Sequence, residues 1–401
     1  MNTTGLKINI HRMKTFFDEI AKINSGTKGY TRLAFSEEEK SAKEWLIGKC
    51  QELNLKIRRD SADNIYARLG DGDKPALLIG SHLDTVPEGG LYDGALGVLT
   101  GLEALETIIE SKIALDSPVE LVCFTGEEAN PLGGTFGSRT ATGLIDFQKE
   151  KEEELKQFGF TIEELQQAKM KKEDYLGFVE LHIEQGEVLE KNQKNIGIVT
   201  SIAGIKRFKV EVFGKPSHSG TTPMTLRSDA LVESSKIIQV VNEIAANYGN
   251  EMVATVGEFS IKPNLANVVP GYVSMLVEVR GKTWEDMQKV VQQIQAWIKE
   301  NTKNTTIVDI VEKKPNSLNE RIQQVIEEAC IQLGYSYRYM ISGANHDANS
   351  MTYITDAGMI FVPSKDGLSH HPDEYTSWEE IEKGGNVLLK TILTICSNKG
   401  E

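Results

Sequence analysis

The chain is poor in cysteine. Four cysteines in 401 residues, none in a C-x-x-C pair, leave no disulfide framework and no thiolate zinc site. Cys50, Cys123, Cys330 and Cys396 lie far apart and read as free thiols in a reducing compartment, so the expected location is the cytoplasm. No apolar run reaches the roughly eighteen residues of a membrane-spanning helix. The first 25 residues mix charges through an amphipathic pattern (Met13, Phe16, Phe17, Ile20). They lack an apolar core segment and a small-residue cleavage site, so no signal peptide is expected. Basic excess is missing as well: 44 Lys and Arg against 58 Asp and Glu give a net charge of −14. Nucleic acid and anionic membranes are therefore not expected partners, because both need a basic patch. A small anionic substrate stays open, since one local arginine can meet it. Internal repeats and low-complexity tracts are absent.

What is present is ordinary globular composition, 40% hydrophobic and 25% charged. The length is too great for one core and suggests two domains. Short apolar runs, Ala76–Gly80, Val119–Phe124 and Met359–Val362, each end in a polar or glycine-rich loop. They read as buried strands of an α/β sheet, with a helix from Gly97 to Glu110. In such sheets chemistry collects past the carboxyl ends of the strands. From Phe208 to Glu312 the pattern changes to β-α-β-β-α-β: Phe208–Phe213, a helix over Leu226–Tyr248, Met252–Ile261, Tyr272–Val279, a helix over Trp284–Glu300, and Thr306–Val311. This order predicts a ferredoxin-like α+β domain at 208–314, inserted into an α/β domain made of 1–207 and 315–401. The charged stretch Leu144–Tyr175, with a capping box at Thr161 and Glu164, reads as solvated helical surface.

Histidine is scarce too, with seven in the chain. In Ser81-His82-Leu83-Asp84, His82 can offer a ring nitrogen to a metal while Asp84 takes the other ring N–H. Asp93 follows in Tyr92-Asp93-Gly94, where a carboxylate at the entry to a helix can bridge two cations. Glu127 and Glu128 end a buried strand and are costly there unless compensated. One can ligate and the other serve as general base. In Phe178–Gly186, period two places Glu180, His182 and Glu184 on one face, with His182 able to ligate. Near the carboxyl terminus, one of His370 and His371 is a further candidate ligand. Each segment taken singly also fits a surface pair, a solvated turn or a hydrogen-bonded structural histidine. Together they give a His, Asp and Glu set suited to Zn, Mn, Co or Ni.

These segments resemble the amidase/hydantoinase/carbamoylase branch of the M20 metallopeptidase superfamily. The resemblance rests on Gly80–Pro87, Tyr92–Val98, Phe124–Glu128, Gly137–Arg139, Glu180–Gly186, Gly214–Gly220, Asn267–Gly271, Gly343–Ala348 and Ser369-His370. They run in family order over nearly the whole chain. The resemblance implies a catalytic zinc-peptidase-like domain with a mixed sheet, and an inserted domain serving as lid and dimerisation unit of a homodimer. It implies two divalent metal ions, one held by His82, Asp93 and His182 and the other by Asp93, Glu128 and His370. Glu127 is then the general base and Asp84 orients His82. His218 and Asn267 polarise the scissile carbonyl and bind substrate, and Arg280 clamps the substrate carboxylate. Gln185 and His346 also match motifs on the substrate side, and Asp347 matches beside His346. Taken without the resemblance, His218, Asn267 and Arg280 read as a turn residue, a strand end and a surface charge.

The implied activity is hydrolysis of the C–N bond in an N-carbamoyl (ureido) L-amino acid. Allantoate and β-ureido acids are alternatives within the family. A dipeptidase or aminoacylase is disfavoured, because such relatives commonly carry a carboxylate at the position of His182. Ala129–Leu132 and Asn345 depart from the family pattern and leave the substrate open.

Overall fold

The computed structural model describes residues 5–145, 152–249 and 252–397. Two compact units make up the chain: Met1–Thr200 with Ser317–Glu401, and Ser201–Asn316.

The larger unit is built on a mixed sheet, nine-stranded among the described residues. Its centre is four parallel strands in the order Val119–Phe124, Ala76–His82, Tyr175–Ile183, Ala357–Val362. Ile65–Leu69 flanks one side and Ile196–Ile202 the other, both antiparallel. All six residues of Val119–Phe124 and of Ala357–Val362 are buried, as are all seven of Ala76–His82. Strands covered on both faces read as continuous apolar runs, which is why these three stood out in the sequence. The alternation in Tyr175–Ile183 suggested a half-buried strand, and the structure corrects that. Glu180 and His182 are as buried as Leu181, since this strand lies inside the sheet, between Ala76–His82 and Ala357–Val362, with cover on both faces.

Helices supply that cover. Ala95–Glu110 buries thirteen residues against the sheet and Trp378–Cys396 buries eleven. The amphipathic segment near the amino terminus forms a helix, Ile10–Ile20, capped by Asn9, with Met13, Phe16, Phe17 and Ile20 inside. The charged stretch after Leu144 differs from its reading as solvated surface. Thr161 does cap Ile162–Gln167, but Leu155, Leu165 and Ala168 pack on Ala62, Leu132 and Phe136 in a small second core. Its residues 146–151 lie outside the described residues. All four cysteines are buried free thiols.

The smaller unit has the order β-α-β-β-α-β. Its sheet runs Thr305–Lys313, Gly204–Phe213, Tyr272–Gly281, Met252–Lys262, all antiparallel. The helices Ala230–Ala246 and Trp284–Asn301 contribute Ile237, Val241, Val290 and Ile294 to its core. The sheet contributes the alternate residues Phe208, Val210 and Val212 of one strand and Val273, Met275 and Val277 of the next. The first helix starts at Ala230, later than the spacing suggested from Leu226. Asp229 accepts from the amides of Leu231 and Val232 and closes the helix there, after a 3-10 turn at Met224–Leu226. No helix among the described residues is long and apolar enough to cross a membrane.

Candidate metal centre

The four parallel strands bring their carboxyl ends to one edge, and the candidate residues of the larger unit collect there. His82 ends one strand and Glu127 and Glu128 follow the next. His182 is the penultimate residue of the third, and His370 lies in the loop after the fourth. Asp93 sits just before the helix Ala95–Glu110. Gly94 between them has φ +66°, and a Cβ there would fall 2.3 Å from the His82 ring. Only glycine lets the helix start so close to this imidazole.

Three groups among the described residues have the spacing of a cation's ligands; one of them, Glu180, His182 and His346, leaves out Asp93. The ligand atoms of His82, Asp93 and His182 lie within 4.8 Å of one another, and so do those of Asp93, Glu128 and His370. Asp93 belongs to both. Its Oδ1 faces His182 Nε2 at 3.1 Å and His82 Nε2 at 3.6 Å, while its Oδ2 faces His370 Nε2 at 3.5 Å. Glu128 Oε1 is 3.3 Å from His370 Nε2. Of the two carboxyl-terminal histidines the structure thus places His370 here, whereas His371 contacts Asp373.

The tautomers follow from the second ring nitrogens. His82 Nδ1 lies 3.0 Å from the backbone carbonyl of Asp84, and His182 Nδ1 lies 2.9 Å from that of Ile183. A carbonyl can only accept, so Nδ1 carries hydrogen in both rings and Nε2 faces the cluster with its lone pair. His82 is therefore oriented mainly by the Asp84 backbone, with the Asp84 carboxylate at 3.4 Å. That carboxylate accepts the amides of Glu127 and Glu128, each at 3.0 Å, and so fixes the loop that carries them.

The electrostatics of the cluster suit a cation. Burial raises the Glu127 carboxyl well above the usual carboxylate range, and the charges of Glu128, Asp347 and Asp84 add to it against His82. Glu128 is raised by burial as well. Burial also pushes on Asp93, but His182, His370 and His82 outweigh it and hold this carboxyl well below its usual range. His370 is raised to about 10 by its contacts with Asp93 and Glu128. Burial alone would lower His82; its hydrogen bond with Asp84 and the charges around it raise it instead. A field that raises the proton affinity of these imidazoles equally favours a divalent cation between them. The fit is supported by an orphan: His82 Nε2 is buried without a hydrogen-bond partner. Such an atom is costly unless a ligand takes it. Borderline cations suit this nitrogen and carboxylate set.

Several residues of the site left no clear mark in the sequence. Arg32 is fully buried, its Nε donating to Leu83 O and its amide to Thr85 Oγ1, so it braces the His82–Asp84 segment. Glu39 accepts the Gly126 amide and pairs with buried Lys43, which also reaches Thr125 Oγ1. Glu374 accepts the amides of Tyr92 and Asp93. Four-residue spacing from His370 was the only hint for Glu374; Arg32 and Glu39 sit in segments with no motif of their own.

The remaining candidates are placed as follows. Gln185 donates through Nε2 to Asp93 Oδ2 at 2.7 Å. His346 is buried, with Nε2 2.9 Å from Ser342 Oγ, and its ring meets the His182 ring edge-on at 4.5 Å between centroids. Both therefore contact the metal-facing residues in this structure. Asp347 is fully buried and raised to about 8 by burial and by Glu180. Asn130 spends its amide on Gly126 O and Glu128 O, which shows what this departure from the family pattern does locally.

In the smaller unit, His218 and Asn267 are brought together. The pair Ser217–His218 bonds to Val268–Val269, and the Ser219 amide reaches Asn267 O. Both residues are exposed. They extend from the end of the sheet where Phe213 pairs with Tyr272, whereas Arg280 pairs with Ile205 toward the opposite end. Eight residues of strand separate Tyr272 from Arg280, roughly 26 Å of strand. Arg280 Nε contacts Glu278 Oε1 at 2.6 Å, and Glu278 also takes Arg207. One copy of this unit does not bring all three together.

The model of peptidase family M20/M25/M40 matches residues 78–394, a span that holds every ligand candidate. The chain belongs to this family. Among its relatives is a hydrolase of Haemophilus influenzae, 38% identical over 97% of this chain and 98% of that protein. The N-carbamoyl-L-amino acid amidohydrolase of Geobacillus stearothermophilus is 37% identical over 93% of this chain and 95% of its own length. The allantoate amidohydrolase of Bacillus subtilis is 34% identical over 91% and 92%. An amidase of the hydantoinase/carbamoylase family from Burkholderia multivorans has a similar structure, with TM-score 0.90, 30% identity and coverage of 98% and 99%. This M20/M25/M40 member is a hydrolase with residue clusters that could hold metal ions.

Proposed function

We propose that the chain is a two-cation amidohydrolase that cleaves the ureido C–N bond of an N-carbamoyl L-amino acid. The observation that carries the reading is Asp93, shared between two groups of three ligand atoms, with the mostly buried Glu127 side chain 3.7 Å from His82 Nε2. His82, Asp93 and His182 would hold one ion, and Asp93, Glu128 and His370 the other. Bound there, Zn, Mn, Co or Ni supplies positive charge that polarises a carbonyl and makes water acidic.

Glu127 takes a proton from the attacking water and returns it to the departing nitrogen. Attack at the ureido carbonyl breaks the bond to the terminal nitrogen. Ammonia leaves, and the carbamate loses carbon dioxide to give the free amino acid. Arg280 presents a planar fork to the substrate carboxylate, and His218 with Asn267 steadies the charge growing on the carbonyl oxygen. Gln185 and His346 complete the substrate side. We further propose a homodimer in the cytoplasm, in which His218 and Asn267 come from the second copy. Their separation from Arg280 along one sheet supports that arrangement. The smaller unit then acts as a lid that closes during turnover.

A second reading keeps this chemistry and changes the substrate to allantoate or a β-ureido acid; similarity to the Bacillus subtilis enzyme favours it. The deciding experiment measures ammonia release after metal stripping and add-back of Mn, Co, Ni or Zn. The panel holds N-carbamoyl L- and D-amino acids, allantoate, N-carbamoyl-β-alanine and a dipeptide scored by free amine. Metal-dependent turnover of an N-carbamoyl L-amino acid, lost in Glu127→Gln, is the expected result. Turnover of allantoate alone selects the second reading. A chain that loads cations and turns over only the dipeptide overturns both.

A further inference from the structure

The two sides of Asp93 are not equivalent. On the Oδ1 side, His82 Nε2 has no hydrogen-bond partner, and His182 Nε2, 3.1 Å from Oδ1, accepts the Gly94 amide, so no donor of that pair is seated on Oδ1 itself. On the Oδ2 side, two donors are already seated: Gln185 Nε2 at 2.7 Å and Ser369 Oγ at 2.8 Å. A carboxylate oxygen has two lone-pair directions, so these donors fill both. A cation on the His370 side needs one of them back.

The structure offers each donor another acceptor. Ser369 Oγ lies 3.0 Å from Glu374 Oε2, and Gln185 Nε2 lies 3.3 Å from Ser369 Oγ. Ser369 has one hydrogen and can serve Asp93 or Glu374, not both. When that hydrogen turns to Glu374, Ser369 Oγ still accepts the second N–H of Gln185, and one lone pair of Asp93 Oδ2 is freed while Gln185 keeps the other. Glu374 is held ready for this. Its Oε1 accepts the amides of Tyr92 and Asp93, each at 3.0 Å, and its side chain fills the place where a Cβ on Gly90 would fall 2.0 Å from Glu374 Cδ.

We propose that Gln185, Ser369 and Glu374 form a hydrogen-bond relay that releases Asp93 Oδ2 to the cation on the Glu128–His370 side. Glu374 is thus a positioning residue that sets the affinity of that cation. The inference rests on the two-cation reading. It requires that the cations bind in two steps, the one beside His82 and His182 first and the one beside His370 second and more weakly.

Two substitutions separate the relay from general damage. In Glu374→Gln the amide oxygen still accepts the two backbone amides, but its NH2 group then faces Ser369 Oγ. Ser369 has nowhere else to send its hydrogen and keeps it on Asp93. In Ser369→Ala one of the resident donors is gone. The test is titration of the metal-stripped full chain with Co²⁺, read by calorimetry and by the visible absorption of the bound ion. Glu374→Gln should weaken the second step by about tenfold, the size of one net hydrogen bond, and leave the first within about twofold. Ser369→Ala should strengthen the second step. Should Glu374→Gln not fold, the sign of the Ser369→Ala change still decides. Equal weakening of both steps by Glu374→Gln, or a weaker second step in Ser369→Ala, overturns the relay while the two-cation reading stands. Uptake of a single Co²⁺ by the unaltered chain overturns both.

Discussion

The polar candidates of the two units sit in opposite surroundings. In the larger unit His82, Asp84, Asp93, Glu128 and His182 are buried at the carboxyl edge of a parallel sheet. In the smaller unit His218 and Asn267 lie exposed on a short strand pair and its turn. Burial of several carboxylates in one place is unfavourable unless positive charge joins them, and the first set could hold cations that supply it. The exposed set carries no such demand. It is stable as it stands, and the role proposed for it depends on another surface. A fold can therefore announce a metal site by its internal electrostatics, whereas a substrate contact at a surface shows itself by position alone.

The sharpest way to break this contrast is Glu127→Gln, which should lower kcat by about 10³-fold or more. Cation uptake should be unchanged within about twofold, measured by metal analysis of the same sample. Loss of cations together with activity would make Glu127 a ligand and not the base. His218→Ala comes next, with an expected loss of about 10²-fold in kcat/KM and no change in the melting temperature. Mixing inactive Glu127→Gln with inactive His218→Ala should restore about a quarter of full activity, because half of the statistical dimers then hold one intact site. No recovery on mixing would place His218 in its own subunit's site.

Arg280→Lys should raise KM by about tenfold with kcat little changed, since an ammonium cannot copy the bidentate fork. An unchanged KM would move the carboxylate clamp elsewhere. The smallest effect tests a carboxylate that is satisfied without any cation. Glu88 accepts the amides of Thr27, Lys28 and Gly29, and these hold its carboxyl down at about 2. A depressed folded-state value gives stability that is present above the unfolded value, near about 4.3, and is lost as pH falls toward the folded value. Glu88→Gln should therefore lower the melting temperature slightly at neutral pH and not at a pH of about 2, by scanning calorimetry. Equal loss at both values would mean that shape, not charge, holds that loop.

The strands most easily read in advance were those buried on both faces, because the largely apolar runs Val119–Phe124, broken only by Glu120, and Met359–Val362 follow directly from that burial. The alternating strands of the smaller unit were equally plain, since one face packs on helices and the other does not. Boundaries set by a single side chain were less so, as with Asp229, which starts its helix after the point the spacing suggested. The reading of the strand that carries Glu180 and His182 as half-buried went astray for a related reason. Periodicity reports alternation, and only the neighbouring strands tell whether the second face is covered.

By itself the sequence determined the element order, the inserted β-α-β-β-α-β segment and the residue types His, Asp and Glu at strand ends. These are local properties, written in apolar spacing and in short motifs. The tertiary structure alone decided that Asp93 faces both His182 and His370, that the Asp84 backbone sets the His82 tautomer, and that Arg32, Glu39 and Glu374 brace the site. Each of those facts joins chain segments that are far apart or depends on which atom of a residue points inward. Residue identity and spacing carry no record of either, because a carboxylate's partner is fixed by distance and by the burial of its neighbours.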